Sequence, residues 1–593
     1  MKNWVGIVGL ILCVLWCAPV GRAGVQALWT LNDSEKVDRN DLNHPAKASN
    51  STWDGKKIRL FGARNEILAF QVMVEADSAG IQSLSARLAE LTERGGQGKI
   101  IYSEPDKDPS LYRGRPIQLF SVNYMEVTKP TAASWIYRLG TPSAPLHPKG
   151  WKPVQLVPIN ARRGKGGFPL NVAPRQNQAI WVEIYLRRDL PAGLYQGNLE
   201  LSADGKNIIL PLELELLDFT LPDENSMDVM VFHESDQPVL YQGRNLDQVY
   251  HRFAHRQRVE LVHAYDEEKV NHSLGRFRGS DFTMEKGYEG PGEGVGNRIV
   301  PLTFYGPGKA FDQQASAWKR SDAWMTFLQQ TLPEAITFVY MPDEPAPRMF
   351  PYIRRLAENI HSNPGPGRRL PVFVTHTYNQ ELDGAIDIWD SGPQGYSIPK
   401  AEEERAKGRD YWIYNGGRPW GGAMVIDAPA ADARATMWGC FKHGIRVYFY
   451  WHGDHWRHNS QKPGDRIQNV WADPITFDNR GQPNKPIEDQ NFANGDGVLF
   501  YPGEEKLHPA EDRGIAGPCS TLQLANFRRG LQDHLYLTLA RKKGLDSLVQ
   551  ESLQKLVPRM FSDAGKTIGF SEKGDDYEQV RYRLGKALES TKP

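Results

Sequence analysis

Asp343 and Glu344 are adjacent carboxylates delivered by an apolar run. That run, Ile336-Thr337-Phe338-Val339-Tyr340-Met341, is β-branched and aromatic; Pro342 breaks it, and Pro345 follows the acids. It is too short for a helix and reads as a buried strand. In a parallel α/β sheet, the C-terminal ends of the strands are where active sites are assembled. Two acids at such a point can do acid–base work, and the tryptophans around them point to sugar chemistry. Capping of the next helix, a role Asp and Glu also serve, is the alternative for the pair.

Spacing narrows the chemistry. Neighbouring residues stand about 3.8 Å apart at Cα. Glycosidases that flank a scissile bond with two carboxyls set them about 5–5.5 Å apart for retention and about 6.5–9.5 Å apart for inversion. Two neighbours cannot straddle a sugar ring. They can divide labour on one side of it, one protonating the leaving oxygen and the other steering a nucleophile carried by the substrate, such as a 2-acetamido oxygen. The rival is a conventional nucleophile on a later strand, with Asp390 and Asp454 as candidates.

Aromatic side chains cluster at the ends of the later strands: Trp389, Trp412, Trp420, Trp451 and Trp456, with Tyr340, Tyr378, Tyr414 and Tyr450. Flat rings with polar edges stack on pyranose C–H faces, although core packing also claims tryptophans. Asn415-Gly416-Gly417-Arg418-Pro419-Trp420 continues one strand as a turn in which Arg418 could donate to sugar oxygens. The candidate sugar contacts are therefore Tyr340, Tyr378, Trp389, Tyr414, Arg418, Trp420 and Trp451. His452, His455 and His458 recur beside Asp454 but match no familiar zinc spacing. Gly290 to Gly296 lacks a following Gly-Lys-Ser/Thr, which argues against a phosphate loop. The expectation is no metal and no organic cofactor.

Three regions must position these residues. From 28 to 222 the chain reads as an N-terminal β-sandwich of antiparallel sheets, with Leu68–Glu75, Ala179–Leu186, Gly197–Leu201 and Ile208–Leu217 separated by turn signals such as Asp204-Gly205. After the polar junction at Leu221-Pro222-Asp223 the rhythm becomes strand, helix, strand. Over 226–483 this fits a central (β/α)8 TIM-like barrel, its acid pair closing the fourth strand. Expected strands are Val229–Phe232, Leu261–Ala264, Val300–Phe304, Ile336–Met341, Pro371–Thr375, Ala385–Ile388, Tyr411–Tyr414 and Ile445–Tyr450. A small C-terminal β/α-helical domain occupies 484–593, with helices at Thr521–Lys543 and Leu545–Leu556. The fold class is multidomain α/β.

Charge is balanced over the 593 residues, 71 basic against 71 acidic, which argues against a nucleic-acid partner. Residues 1–23 read as a signal peptide, with Lys2, an apolar core from Val5 to Trp16, and a small residue at Ala23. That core is too short for a stable membrane anchor. An exported protein, periplasmic or extracellular, is expected; sequencing the mature N-terminus tests this. Only Cys440 and Cys519 lie beyond the signal, too few for a disulfide framework. They read as separate buried thiols or as one pair.

The chain resembles glycoside hydrolase family 123, whose known members are retaining exo-β-N-acetylgalactosaminidases. The resemblance rests on Asp343-Glu344 after its strand and on Ile386-Asp387-Ile388-Trp389. Gly495-Asp496-Gly497-Val498-Leu499-Phe500-Tyr501-Pro502-Gly503 and Asn526-Phe527-Arg528-Arg529-Gly530-Leu531-Gln532-Asp533 look like the C-terminal domain of unknown function 4091. Arg64-Asn65-Glu66 with Phe70-Gln71, and Ala192-Gly193-Leu194-Tyr195-Gln196-Gly197, look like the accompanying N-terminal β-sandwich. The resemblance implies Glu344 as general acid/base, Asp343 as the residue orienting the acetamido group, and a glycan or glycoconjugate as substrate. A non-acetamido glycosidase and a non-catalytic carbohydrate-binding protein remain the alternatives.

Overall fold

The computed structural model describes residues 24–458, 466–480 and 491–591. The expected signal, the 483/484 boundary and the side chain of His458 lie outside what it describes.

Two β-sheets share one core in the first two hundred of these residues. One sheet orders its strands Val25–Asn32, Glu66–Ala76, Asn177–Leu186, Ile117–Val127 and Gly150–Pro158, all antiparallel. The other runs Ile58–Arg64, Lys206–Thr220, Gly193–Ala203, Ile81–Glu93 and Lys99–Ile101. Asp204-Gly205 closes a two-residue hairpin, both residues at positive φ, with Ala203 opposite Lys206. That geometry suits the twist of the flanking strands. Alternation in Lys206–Thr220 buries Ile208, Leu210, Leu212, Leu214 and Leu216 against Phe70 and Trp181 of the facing sheet. The second sheet is not wholly antiparallel: Ile58–Arg64 runs parallel to Lys206–Thr220. These two strands are far apart in sequence, so no short turn forces them antiparallel.

A seven-stranded parallel sheet follows, ordered Glu260–Val262, Asp228–Phe232, Val447–Tyr450, Asp410–Tyr414, Ile388–Ser391, Val372–Thr375 and Val339–Tyr340. The expected strand at Val300–Phe304 is reduced to a bridge between Ile299 and Ile336, with Val300 and Leu302 donating to the Ile336 and Phe338 carbonyls. On its other side Pro301 accepts from the Tyr265 amide, and the Glu260 carboxylate accepts from the Arg298 and Ile299 amides. The segment thereby ties the two edges of the sheet together. The strand expected at Ala385–Ile388 starts later, at Ile388; just before it the Asp387 amide donates to the Val372 carbonyl and Asp387 Oδ2 accepts from the Val372 amide. Period-two alternation sorts the side chains. Met230, Val262, Phe338, Tyr340, Phe373, Ile388, Trp412 and Phe449 form an inner cluster. Their neighbours Val231, Leu261, Val339, Val374, Trp389 and Ile413 pack outward against helices such as Phe350–His361 and Ala431–His443.

The C-terminal region is woven into both parts. Pro518–Thr521 pairs with Gly150–Pro158 and extends the first sheet. The helix Leu522–Lys542 is buried on nearly all sides. A further helix, Gly574–Ser590, was not legible as a separate expectation; it packs on Leu522–Lys542 and on the Lys206–Thr220 strand. Cys440 and Cys519 are free and buried. No described helix is long and apolar enough to cross a membrane.

Candidate active site

The strands of the parallel sheet deliver their C-terminal residues to a cavity of about 780 Å³, within the range of about 300–1,000 Å³ typical of small-molecule sites. Asp343 and Glu344 line it, and both are exposed to it. Asp343 Oδ1 accepts from Tyr340 Oη at 2.7 Å and from Thr375 Oγ1 at 2.9 Å. The Thr375 hydroxyl also accepts from the Glu344 amide at 2.9 Å. Glu344 Oε1 accepts from Tyr414 Oη at 2.6 Å. Burial, and then the charges of Asp343 and Glu344 respectively, hold the Tyr340 and Tyr414 phenols well above their usual range, so both serve as donors. Glu344 has φ 40°, a conformation that costs a non-glycine residue about 1–3 kcal/mol and clusters at functional sites. The two acids thus leave one backbone point but answer to different strands.

Trp451 forms another wall and is fixed at three points. Its amide donates to Asn415 Oδ1 at 3.0 Å, its carbonyl accepts from Tyr305 Oη at 2.5 Å, and its indole donates to Asp496 Oδ1 at 3.0 Å. Burial pushes the Asp496 carboxyl up, while the hydrogen bonds from Trp451 and Tyr450 oppose this. Gly497 sits at φ 76°, and a Cβ there would stand 2.6 Å from Trp451 Cζ2. Both features explain the Gly495-Asp496-Gly497 sequence: the acid anchors the indole and the glycine makes room for it.

Of the seven expected sugar contacts, Tyr340, Tyr414 and Trp451 line the cavity. The other four do not. Trp389 is fully buried on the helix side of its strand, because Ile388 takes the inward position. Tyr378 packs on Trp389 with centroids 5.1 Å apart, and the Lys400 ammonium lies 4.4 Å from its ring centre. Arg418 is 1% exposed and pairs with Asp432 at 3.3 Å and with Glu572. It fastens the turn to the C-terminal region. Trp420 lies outside the cavity lining, its carbonyl accepting from the Phe561 amide. The rival nucleophiles are also off the surface. Asp390 and Asp454 are both fully buried and outside the lining. Burial, and then the Asp343 charge, push the Asp390 carboxyl well up, whereas Asp454 is ion-paired with His233 at 2.9 Å and His452 at 3.3 Å. No group of three or more His, Cys, Asp or Glu among the described residues could hold a metal ion.

Residues not singled out from sequence add to the lining, among them Trp135, Phe232, Glu234, Tyr305, Thr375 and Phe477, and His452 and His455 of the histidine cluster lie in it too. Phe232 and Thr375 share the inward parity of Met230 and Phe373, a signal the sequence carried. Trp135 and Phe477 come from outside the parallel strands and meet edge to face at 5.2 Å; no local pattern announces them.

No family model matches the chain, that of the expected C-terminal domain of unknown function 4091 included. No curated protein matches it either. Among solved structures, it is similar to a family 123 glycoside hydrolase from Clostridium perfringens, with TM-score 0.60 and 12% identity over 95% of this chain and 97% of that one. At that identity the likeness is one of fold. Two β-glucuronidases, from Parabacteroides merdae (TM-score 0.24, 10% identity, 63% of this chain and 47% of that one) and Bacteroides uniformis (TM-score 0.25, 8% identity, 66% and 45%), align too weakly to bear on the site.

Proposed function

We propose that the chain is a glycoside hydrolase that removes a β-linked N-acetylhexosamine, β-N-acetylgalactosamine foremost, by substrate-assisted retention in a (β/α)8-type barrel. The observation that carries this reading is the split of the acid pair: Asp343 is held by Tyr340 and Thr375, and Glu344 by Tyr414. In the proposed first step the substrate's acetamido oxygen attacks C1, and the bond from C1 to the leaving oxygen breaks. Glu344 gives its proton to that oxygen while Asp343 stabilises the positive charge on the resulting oxazolinium. A water then attacks C1 and gives its proton to Glu344, and the bond from C1 to the acetamido oxygen breaks, restoring the 2-acetamido group. The burial of Asp390 and Asp454 supports this mechanism over a separate enzymic nucleophile.

Aryl glycosides of good and poor leaving groups, with and without the 2-acetamido group, test the proposal. Glu344→Gln is expected to slow poor leaving groups by about 100-fold or more and activated ones far less, since general acid catalysis supplies about 10²–10⁴. Asp343→Asn should slow both. Equal wild-type rates on substrates lacking the acetamido group would refute substrate assistance, and no turnover on any glycoside would favour a binding protein.

A further inference from the structure

A further acid, Glu234, lines the cavity at one end of a row of buried charged groups. Glu234 stands at the end of the strand Asp228–Phe232 and lines the cavity with its side chain 39% exposed. Its Oε2 accepts from Gln237 Nε2 at 2.7 Å and lies 3.7 Å from His452 Nε2. His452, which also lines the cavity, sets its Nδ1 3.3 Å from Asp454 Oδ1, and Asp454 Oδ2 is 2.9 Å from His233 Nδ1. His452, Asp454 and His233 are all buried. Burial disfavours a charged His452, but Asp454 and Glu234 outweigh it and raise the imidazole to about 9. The interaction with His452, against burial, lowers Glu234 to about 2. The row therefore alternates in charge, and Glu234 ends it as a fixed anion facing the cavity. The hydrolytic steps above use none of it.

We propose that Glu234 is a specificity-determining residue that accepts hydroxyl groups of the sugar, and that its wall restricts the cavity to uncharged sugars. This rests on the reading that the cavity holds a sugar. The contacts above engage Oε2 and leave Oε1 as an acceptor; a carboxylate has acceptors only, and sugar hydroxyls supply the donors. Anions are disfavoured for a second reason. Asp343 shares the lining with Glu234, no Lys or Arg is among its described residues, and the cationic His452 there is already held between Glu234 and Asp454. A sulfate or carboxylate on the sugar would meet like charges with no guanidinium or ammonium to offset them.

Equilibrium binding of N-acetylgalactosamine, N-acetylglucosamine and galactose, and of the 6-sulfates of these sugars, tests the assignment through the fluorescence of Trp135 and Trp451. Wild type should bind at least one neutral sugar and bind its 6-sulfate at least tenfold more weakly. Glu234→Gln should lose tenfold or more in affinity for the neutral sugar and narrow the sulfate gap, which a merely structural role would not do. Glu234→Asp, which keeps the charge, should lose affinity but retain the gap. Neutral-sugar affinity in Glu234→Gln within twofold of wild type, equal binding of the 6-sulfate by wild type, or no binding of any neutral sugar would each overturn the proposal. Sugar binding without cleavage of any aryl glycoside would leave Glu234 in place and sink the hydrolase reading instead.

Discussion

Thr375 Oγ1 donates to Asp343 and accepts from the Glu344 amide, so one hydroxyl sets both acids. Thr375→Val keeps the side chain's shape and removes both bonds. Hydrogen bonds to charged groups contribute about 1.5–3 kcal/mol, so kcat should fall about 10- to 100-fold while the melting temperature hardly moves. Thr375→Ser should restore most of the rate. A Val variant with wild-type kcat would remove Thr375 from the positioning of the pair. His452 offers a pH test at the same scale. Its folded pKa of about 9 lies above the ordinary 6.5, so the folded state holds a proton that the unfolded chain has lost between those values. The resulting stabilisation is complete below pH 6.5 and vanishes as pH rises through 9, amounting to about 3 kcal/mol. Denaturant midpoints should decline across that window in wild type and decline less in His452→Gln. Parallel declines in the two proteins would mean that His452 is not charged in the fold.

At the scale of elements, the strands of the parallel sheet and their helices were readable because β-branched runs and helical spacing are local signals. The acid pair was readable for the same reason. What the chain did not advertise is which aromatic faces inward. Trp389 and Tyr414 look alike in composition, yet alternation from Ile388 and Trp412 sends one to the helices and the other to the cavity. Applying parity to each strand separates Tyr340, Tyr414 and Trp451 from Trp389. Arg418 could not be sorted in this way, since it lies in a turn beyond the strand and its partner Glu572 is distant in sequence. Trp135 marks the other limit. It sits in the stretch 128–149 between two strands of the N-terminal sheet and reaches the cavity because that stretch is clamped elsewhere. The Thr131 amide and hydroxyl both donate to Asp427 at 2.7 Å, and Ile136 and Tyr137 join a small core with Ala423, Val425 and Ala493. Trp135→Ala should raise KM about 3- to 10-fold, the scale of one aromatic contact beyond its burial, with kcat little changed. A collapse of kcat at constant KM would instead make this stretch a support for the acids.

Across the whole molecule, the helix Leu522–Lys542 is where the parts meet, and its charged residues explain the sequence Asn526-Phe527-Arg528-Arg529-Gly530-Leu531-Gln532-Asp533. Arg529 reaches Asp33 at 2.9 Å and Glu66 at 2.8 Å in the N-terminal sheets, and Arg528 reaches Glu183 at 2.6 Å. Asp533 accepts from Arg434 Nε at 2.6 Å and Trp438 Nε1 at 2.8 Å, both on a helix of the parallel sheet. Glu66 also binds Arg581 at 2.5 Å, which adds the last helix to the cluster. Ion pairs this deep are poor sources of net stability but costly to break, because the surviving partner is left charged and dry. They fix how the parts sit against one another, and the cavity depends on that fit, since Trp135 and Asp496 enter it from outside the parallel strands. Asp533→Asn removes one of the two carboxylates paired with Arg434, leaving only Glu578 at 2.9 Å, and should cost up to about 3–5 kcal/mol. The loss should fall on the joint before it falls on either sheet. Far-ultraviolet circular dichroism and tryptophan fluorescence, followed together through a urea titration, should give coincident transitions in wild type and separated ones in the variant. Sugar affinity should decline with the earlier of the two. A single transition at the wild-type midpoint would show that the buried charges do not couple the parts, and the fit of Trp135 to the cavity would then have to come from its own clamp at Thr131.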